Sequence, residues 1–378
     1  MKYLLNLFII SLLIISIQNT FLTEIFKEIN KEKVGENTII SPLSIYQVLS
    51  LLSNGAEKET LKEMFKILGN KKTEELNDIN MNKIIEVSRK FSSLEIANAI
   101  MTKCEPSKSF LLYAKGYSAD VKILESVEEV NNWSNEKTHG KIKKIIEELD
   151  VNTVMILLNA VYFKGNWVYP FEKENNKNLP FYNFRKEKKI VETMIQEEYF
   201  NYYQNSEAQV IELPYEKDFM SAIIILPSDN LNINNYIETL LSNGENLYEL
   251  IYKLKAAKVH LELPKFELDF SLDLNEVLQQ MGMKLIFDQQ KADLSRLCWD
   301  WKNLYVDSVI HKAYLKVDEI GSEAAAVSAV IIEESAMEII KKEKVYKMQV
   351  NRPFLFLLKN SRFPKGYDMA FMAKVEKI

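Results

Sequence analysis

Apolar residues between Phe21 and Glu32 fall at Leu22, Ile25, Phe26 and Ile29, a helical spacing that predicts a helix packed on one face. Ser41-Pro42-Leu43-Ser44 then offers a cap and a first-turn proline ahead of Ile45, Tyr46, Val48 and Leu49, so a buried helix starts there, and Asn54-Gly55 ends it. A further helix is predicted from Glu57 to Leu68, stopped at Gly69-Asn70. Val130, Trp133, Ile142, Ile145 and Ile146 suggest an amphipathic helix to about Glu148, broken near Gly140. The period then changes. Val154 to Phe163 is an apolar run suited to a strand buried on both faces, with one amide, Asn159, inside it. Beyond it strands dominate: Gln209–Leu213, Met220–Leu226, Lys258–Leu263 and Asn303–Val309, interrupted by a helix over Asn275–Met283, and a final hairpin from Asn351–Leu358 and Ala370–Val375. Helices first and strands later make an α+β fold.

At 378 residues, 47% hydrophobic and 27% charged, the chain can bury a large core, and no linker or repeat divides it, which favours one domain over residues 20–378. A net charge of −5 and a pI near 5.6 argue against nucleic acid as the partner. The basic clusters Lys141/Lys143/Lys144, Arg185/Lys186/Lys188/Lys189 and Lys341/Lys342/Lys344/Lys347 each have acidic neighbours and read as solvated surface. Residues 1–19 carry one positive charge followed by an apolar run too short for an ordinary membrane span, the shape of a secretory signal, although Ser16-Ile17-Gln18-Asn19 lacks a small-x-small cleavage pattern. Secretion is the expectation, with a vesicular or cytoplasmic location as the alternative if this segment is not a signal. Cys104 and Cys298 give no disulfide framework and read as unpaired buried thiols. Asn132-Trp133-Ser134 is a glycosylation sequon weakened by a Trp that belongs on a buried helix face.

No catalytic constellation emerges. The three histidines, His139, His260 and His311, have no second His or Cys at metal-ligand spacing, and there is no Gly-x-Ser-x-Gly elbow and no phosphate-cradling glycine loop. No catalytic residue, metal or cofactor is assigned. His311 follows the apolar stretch Leu304–Ile310 and reads as a satisfied core histidine. The oddest segment is residues 319–332: an acid, a glycine, then Ser322, Glu323, Ala324, Ala325 and Ala326 before any bulky residue. As a helix it would be an Ala-rich surface element. As a strand, alternation places Ser322, Ala324, Ala326, Ser328 and Val330 on one small, uncharged face, able to slip between two existing strands, with Gly321 permitting a sharp turn at its root.

Leu315-Lys-Val-Asp-Glu-Ile-Gly-Ser-Glu-Ala-Ala-Ala326 resembles the hinge of the serpin reactive loop. Asn37-Thr-Ile-Ile-Ser-Pro-Leu-Ser-Ile45, Asn159-Ala-Val-Tyr-Phe-Lys-Gly-Asn-Trp167, Leu213-Pro-Tyr215, Leu263-Pro-Lys-Phe266, Asn303-Leu-Tyr-Val306, His311-Lys-Ala313 and Asn351-Arg-Pro-Phe-Leu-Phe356 resemble further signatures in the family's order. The resemblance implies three β-sheets, about nine helices and an exposed reactive-centre loop over about residues 319–347. It implies a monomeric suicide inhibitor of serine proteases: loop cleavage, acyl-enzyme trapping and insertion of the hinge end as a new central strand. Glu319, Gly321, Ser322, Glu323, Ala324, Ala325 and Ala326 would be the hinge. Ser41, Ser44, Asn159 and His311 would lie beneath the point where the sheet opens, with Trp167 where insertion begins.

The family spacing from the hinge Glu319 places the scissile bond after Ser335, with Ala336 following, which suits an elastase-like protease. Met337 would suit a chymotrypsin-like or cathepsin-G-like one, and Lys341 or Lys342, favoured by counting back from Pro353, a trypsin-like one. The other readings are a non-inhibitory chaperone or carrier, whose hinge would be spoiled by bulky or charged residues, and an inhibitor of papain-like cysteine proteases.

Overall fold

The computed structural model describes residues 20–69, 72–91, 93–242, 244–322 and 344–378. The proposed signal at 1–19, the distal hinge residues Glu323, Ala324, Ala325 and Ala326, and all the candidate cleavage residues, Ser335, Ala336, Met337, Lys341 and Lys342, lie outside them.

Among the described residues the strands are β1 Thr38–Ile40, β2 Leu94–Thr102, β3 Asp120–Ile123, β4 Met155–Phe163, β5 Gly165–Asn166, β6 Lys177–Tyr182, β7 Lys188–Gln204, β8 Ala208–Pro214, β9 Met220–Pro227, β10 Lys255–Pro264, β11 Phe266–Asp273, β12 Ser308–Val317, β13 Gly321–Ser322, β14 Tyr346–Gln349, β15 Phe354–Asn360 and β16 Met369–Val375. They form a nine-stranded sheet ordered β1-β16-β15-β9-β8-β7-β10-β14 with β6 on β7, a five-stranded sheet ordered β11-β12-β4-β2-β3, and the short pair β13-β5. The helices used below are α1 Thr20–Glu32, α2 Pro42–Ser53, α3 Lys58–Leu68, α4 Lys108–Gly116 and α5 Val127–Lys137.

Local signals fix the early helices as expected. Ser41 Oγ accepts the Ser44 N–H, Pro42 opens α2, and every residue of that helix is buried. Gly69 ends α3 in the left-handed region at φ 73°, where a side chain would be strained. Strand β4 is buried at all nine positions, as its apolar run required.

The structure overturns four expectations. The helix over 130–148 stops at Lys137. Side chains of α5 and its cap then supply the backbone partners a helix would have given: Asn131 Oδ1 accepts from the Ile145 and Ile146 N–H groups, and Thr138 Oγ1 accepts from Ile142. Residues 303–307 are not a strand. Leu304 and Val306 are buried, but the Val306 N–H donates to the Ile286 carbonyl and no ladder forms before Ser308. His311 therefore sits inside a strand, β12, and not after one. Finally, Cys104 and Cys298 are joined in a disulfide, their Cα atoms 6.2 Å apart, because the fold brings the end of β2 against the segment leading into β12.

Candidate functional site: a seam between two halves of a sheet

The five-stranded sheet has a parallel junction at its middle. β12 pairs with β4 from Ser308↔Ile156 to Tyr314↔Tyr162, and Leu315–Val317 pair only with β11 on the other side. The chain then bends back, and β13 pairs antiparallel with β5: Gly321↔Asn166 and Ser322↔Gly165. Gly321 and Ser322 thus occupy the top of the gap between β12 and the extension of β4.

Gly321 is required here by close approach and not by a turn, since a Cβ on it would overlap the Gly165 carbonyl oxygen and crowd the Asn166 backbone. Ser322 is fully buried, and its Oγ lies 2.7 Å from the Tyr215 hydroxyl. Burial holds that phenol well above its ordinary pKa, with the Ser322 hydrogen bond opposing. Trp167 stacks on Tyr215 at 4.2 Å, its Nε1–H donates to the Asp318 carbonyl, and its backbone N–H donates to the Ile320 carbonyl. Glu319 is held from two sides: Oε1 accepts from Lys265 Nζ at 3.0 Å and from Asn176 Nδ2 at 2.5 Å, and Lys265 also reaches Glu192 at 3.2 Å. Burial raises the Glu319 pKa, but its own backbone N–H, Lys265 and Asn176 outweigh that and hold it below the ordinary carboxylate value.

Lower in the seam a polar row crosses three strands. Asn98 of β2, Asn159 of β4 and His311 of β12 are register partners. His311 Nδ1–H donates to Asn159 Oδ1 at 2.5 Å, Asn159 Nδ2 donates to Asn98 Oδ1 at 2.5 Å and to Ser44 Oγ, and the Ser41 N–H donates to His311 Nε2 at 3.2 Å. This pattern needs the neutral imidazole with its proton on Nδ1. Burial pulls the His311 pKa down from 6.5 to about 3. Ser41, Ser44, Asn159, His311 and Trp167 were all expected at the opening of the sheet, and the structure brings the first four into one network and puts Trp167 above it. Asn98 was missed. Its signal was an amide inside the apolar stretch Ile96-Ala-Asn-Ala-Ile100, the same oddity that singled out Asn159.

The arrangement is a seam with β13 seated at its top and buried polar bonds across its closed part. Among the described residues no cluster of acids, histidines or cysteines could hold a metal ion, and no helix is long and apolar enough to cross a membrane.

Comparison with known proteins agrees with this geometry. The chain is 34% identical over 364 residues to the leukocyte elastase inhibitor of Xenopus laevis, covering 90% of this chain and 94% of the relative. It is 32% identical over 346 residues to Iripin-8 of Ixodes ricinus, covering 86% and 85%. The native-state structure of tengpin, a thermophilic serpin, superposes with a TM-score of 0.84 at 34% identity, over 96% of this chain and 94% of that one. The family model described as "Serpin (serine protease inhibitor)" matches residues 16–377, so nearly the whole chain is accounted for, and the protein belongs to the serpin family.

Proposed function

We propose that this serpin inhibits a serine protease as a suicide substrate, with the loop after Ser322 cut by the target and its hinge end then drawn into the β4/β12 seam. The observation that carries this reading is the seating of Gly321 and Ser322 against β5 directly above the point where β12 leaves β4. A strand that continued from Ser322 would run down the seam between strands that already flank it. The acyl bond would be carried with it to the opposite pole before water reached it. The small residues Ala324, Ala325 and Ala326 suit entry between packed layers.

An elastase-like target fits the proposed Ser335–Ala336 bond and the name of the Xenopus laevis relative. Met337 or the lysines Lys341 and Lys342 would redirect the inhibitor to chymotrypsin-like or trypsin-like enzymes. Incubation with pancreatic elastase, chymotrypsin, cathepsin G, trypsin and papain, followed by denaturing electrophoresis and mass measurement of the released C-terminal peptide, tests target class and bond together. We expect a denaturation-resistant complex with a serine protease. A loop cut by every enzyme with no complex would refute the inhibitory reading, and a complex with papain alone would move the target to the cysteine class.

Secretion as a monomer is the accompanying proposal, and the Cys104–Cys298 disulfide supports the secretory part because such bonds persist in oxidising compartments. Expression in a secreting eukaryotic cell, with N-terminal sequencing and sedimentation of the protein from the medium, checks it.

A further inference from the structure

Strand β3 covers only part of β2. It pairs from Ala99↔Asp120 to Thr102↔Ile123, whereas β4 pairs with β2 along its whole length, from Leu94↔Phe163 to Thr102↔Met155. Residues 94–98 therefore have a strand on one side alone, and they line a cavity of about 270 Å³. Gln47 of α2, the end of the helical run 73–88 and the turn that leads into β3 complete its walls. One water needs about 10–15 Å³, so this space holds a small organic molecule.

At its deep end two carboxamides keep unused bonding capacity. Gln47 is 2% exposed, and among the described residues its side chain makes no hydrogen bond. The serines of the same helix all have partners: Ser44 Oγ accepts from Asn159, and the Ser50 and Ser53 hydroxyls donate to the Tyr46 and Ser50 carbonyls at 2.7 Å each. Asn98 is 4% exposed, and its Oδ1 is taken by Asn159, but among the described residues its Nδ2 has no acceptor. Buried amides are costly to leave unbonded. Amides that line a cavity mark where a polar group of a guest would sit.

The mouth is charged, and its acids are already engaged. Asp120 accepts from Lys137 Nζ at 2.9 Å and from Trp133 Nε1 at 2.8 Å, and Glu95 lies 2.7 Å from His139 Nε2. Arg89 is different. It is exposed, donates to Ser118 Oγ at 3.0 Å, and has no ion pair among the described residues. Between mouth and deep end, Ile85, Leu94 and Ile96 supply apolar wall.

We propose that this cavity binds a small carboxylate that also carries an amide. The planar guanidinium of Arg89 takes both carboxylate oxygens, the body of the molecule lies along Ile85, Leu94 and Ile96, and its amide meets Gln47 and Asn98. Gln47 offers a donor and an acceptor, and Asn98 Nδ2 a further donor, which together match an amide and leave a purely hydrocarbon end unsatisfied. Occupancy leaves the bond from Asn159 to Asn98 Oδ1 in place, so the guest fits the closed sheet. The site does not depend on the inhibitory reading.

The test titrates 4-carbamoylbenzoate and the longer hippurate into the full chain by calorimetry, with melting temperature as a second readout. Benzoate, which lacks the amide, and terephthalamide, which lacks the charge, are the matched controls, and Gln47→Met and Arg89→Met are the variants. We expect at least one probe to bind at a single site with a Kd of about 1 mM or tighter, and to raise the melting temperature. Each control, and each variant with the active probe, should bind at least about tenfold more weakly. Absence of saturable binding by either probe would overturn the proposal and leave the cavity to water. Binding that both variants retain would place the probe elsewhere, and loss in Arg89→Met with full affinity in Gln47→Met would reduce it to surface ion pairing; both outcomes overturn the site. If Gln47→Met fails to fold, benzoate against 4-carbamoylbenzoate still reads the amide contact and Arg89→Met the charge. No protease enters the experiment, so its failure leaves inhibition untouched.

Discussion

Acid should loosen the seam, and His311 sets where. Its imidazole is neutral in the fold, donating to Asn159 and accepting from the Ser41 N–H. A proton on Nε2 would face that N–H with a second donor and place a charge in a fully buried site. With a folded pKa near 3 against an ordinary 6.5, the unfolded chain binds the extra proton first. The sign follows: the stability this neutral histidine contributes is present above pH 6.5, falls as pH drops below it, and has gone by about pH 3. At pH 5 the loss is about 2 kcal/mol, from 1.36 kcal/mol per pH unit. Buried Asp368 and Asp273, whose pKa values burial raises, oppose the loss, and Glu319, held low, adds to it only below its ordinary 4.5. Comparison with His311→Gln, which keeps an amide donor in the row, cannot titrate and leaves those carboxyls in place, isolates the histidine. Urea unfolding at pH 7.5, 6.5, 5.5 and 5.0 should show the wild type losing about 2 kcal/mol more than the variant across that window. Parallel pH profiles would refute the assignment.

Gly321→Ala should force β13 off β5, because the new methyl meets the Gly165 carbonyl; a loss of about 1–3 kcal/mol in urea and faster proteolysis at the hinge are expected. Ser322→Arg would bury a guanidinium beside Tyr215, at several kcal/mol, and should leave loop cleavage intact while abolishing the covalent complex; an undiminished complex yield would contradict it. Lys265→Ala removes the cation shared by Glu319 and Glu192, which stand on either side of Asn176. After screening, the cost should be about 1–2 kcal/mol in urea and should shrink in high salt.

What the sequence disclosed, and what it hid, divides by the range of the interaction. The cap at Ser41, the proline of α2 and the buried run of β4 act within a few residues, so pattern alone exposes them. Asn159 was visible as an amide in an apolar run, yet its significance depends on facing Asn98 and His311, and register across three strands is a tertiary fact. The stretch 303–307 alternates like a strand because Leu304 and Val306 do enter the core, but nothing in that alternation reveals that no neighbouring strand is there to pair with. Cys104 and Cys298 are 194 residues apart, and only the tertiary fold makes them neighbours.

Register also says what the opened seam would demand of the loop. Gly321 faces Asn166 and Ser322 faces Gly165, so each step along the loop moves one step back along β5 and β4, and Ser328 arrives opposite Asn159. Insertion at that level separates Asn159 from His311 and breaks their hydrogen bond, leaving a buried acceptor and a buried donor at about 1–3 kcal/mol each unless the newcomer serves them. Ladder hydrogen bonds return about 1 kcal/mol per bond, while ordering a residue costs about 1–2 kcal/mol, so the backbone has no surplus to cover an orphaned pair. A hydroxyl both donates and accepts, and Ser328 shares the alternation of Ser322, whose side chain already points inward to Tyr215. Ser328→Val should therefore cut the yield of covalent complex several-fold with the cleavage rate unchanged, and Ser328→Thr should preserve it. If Val and Thr behave alike in a stoichiometry titration, the loop does not continue in the register that β13 begins.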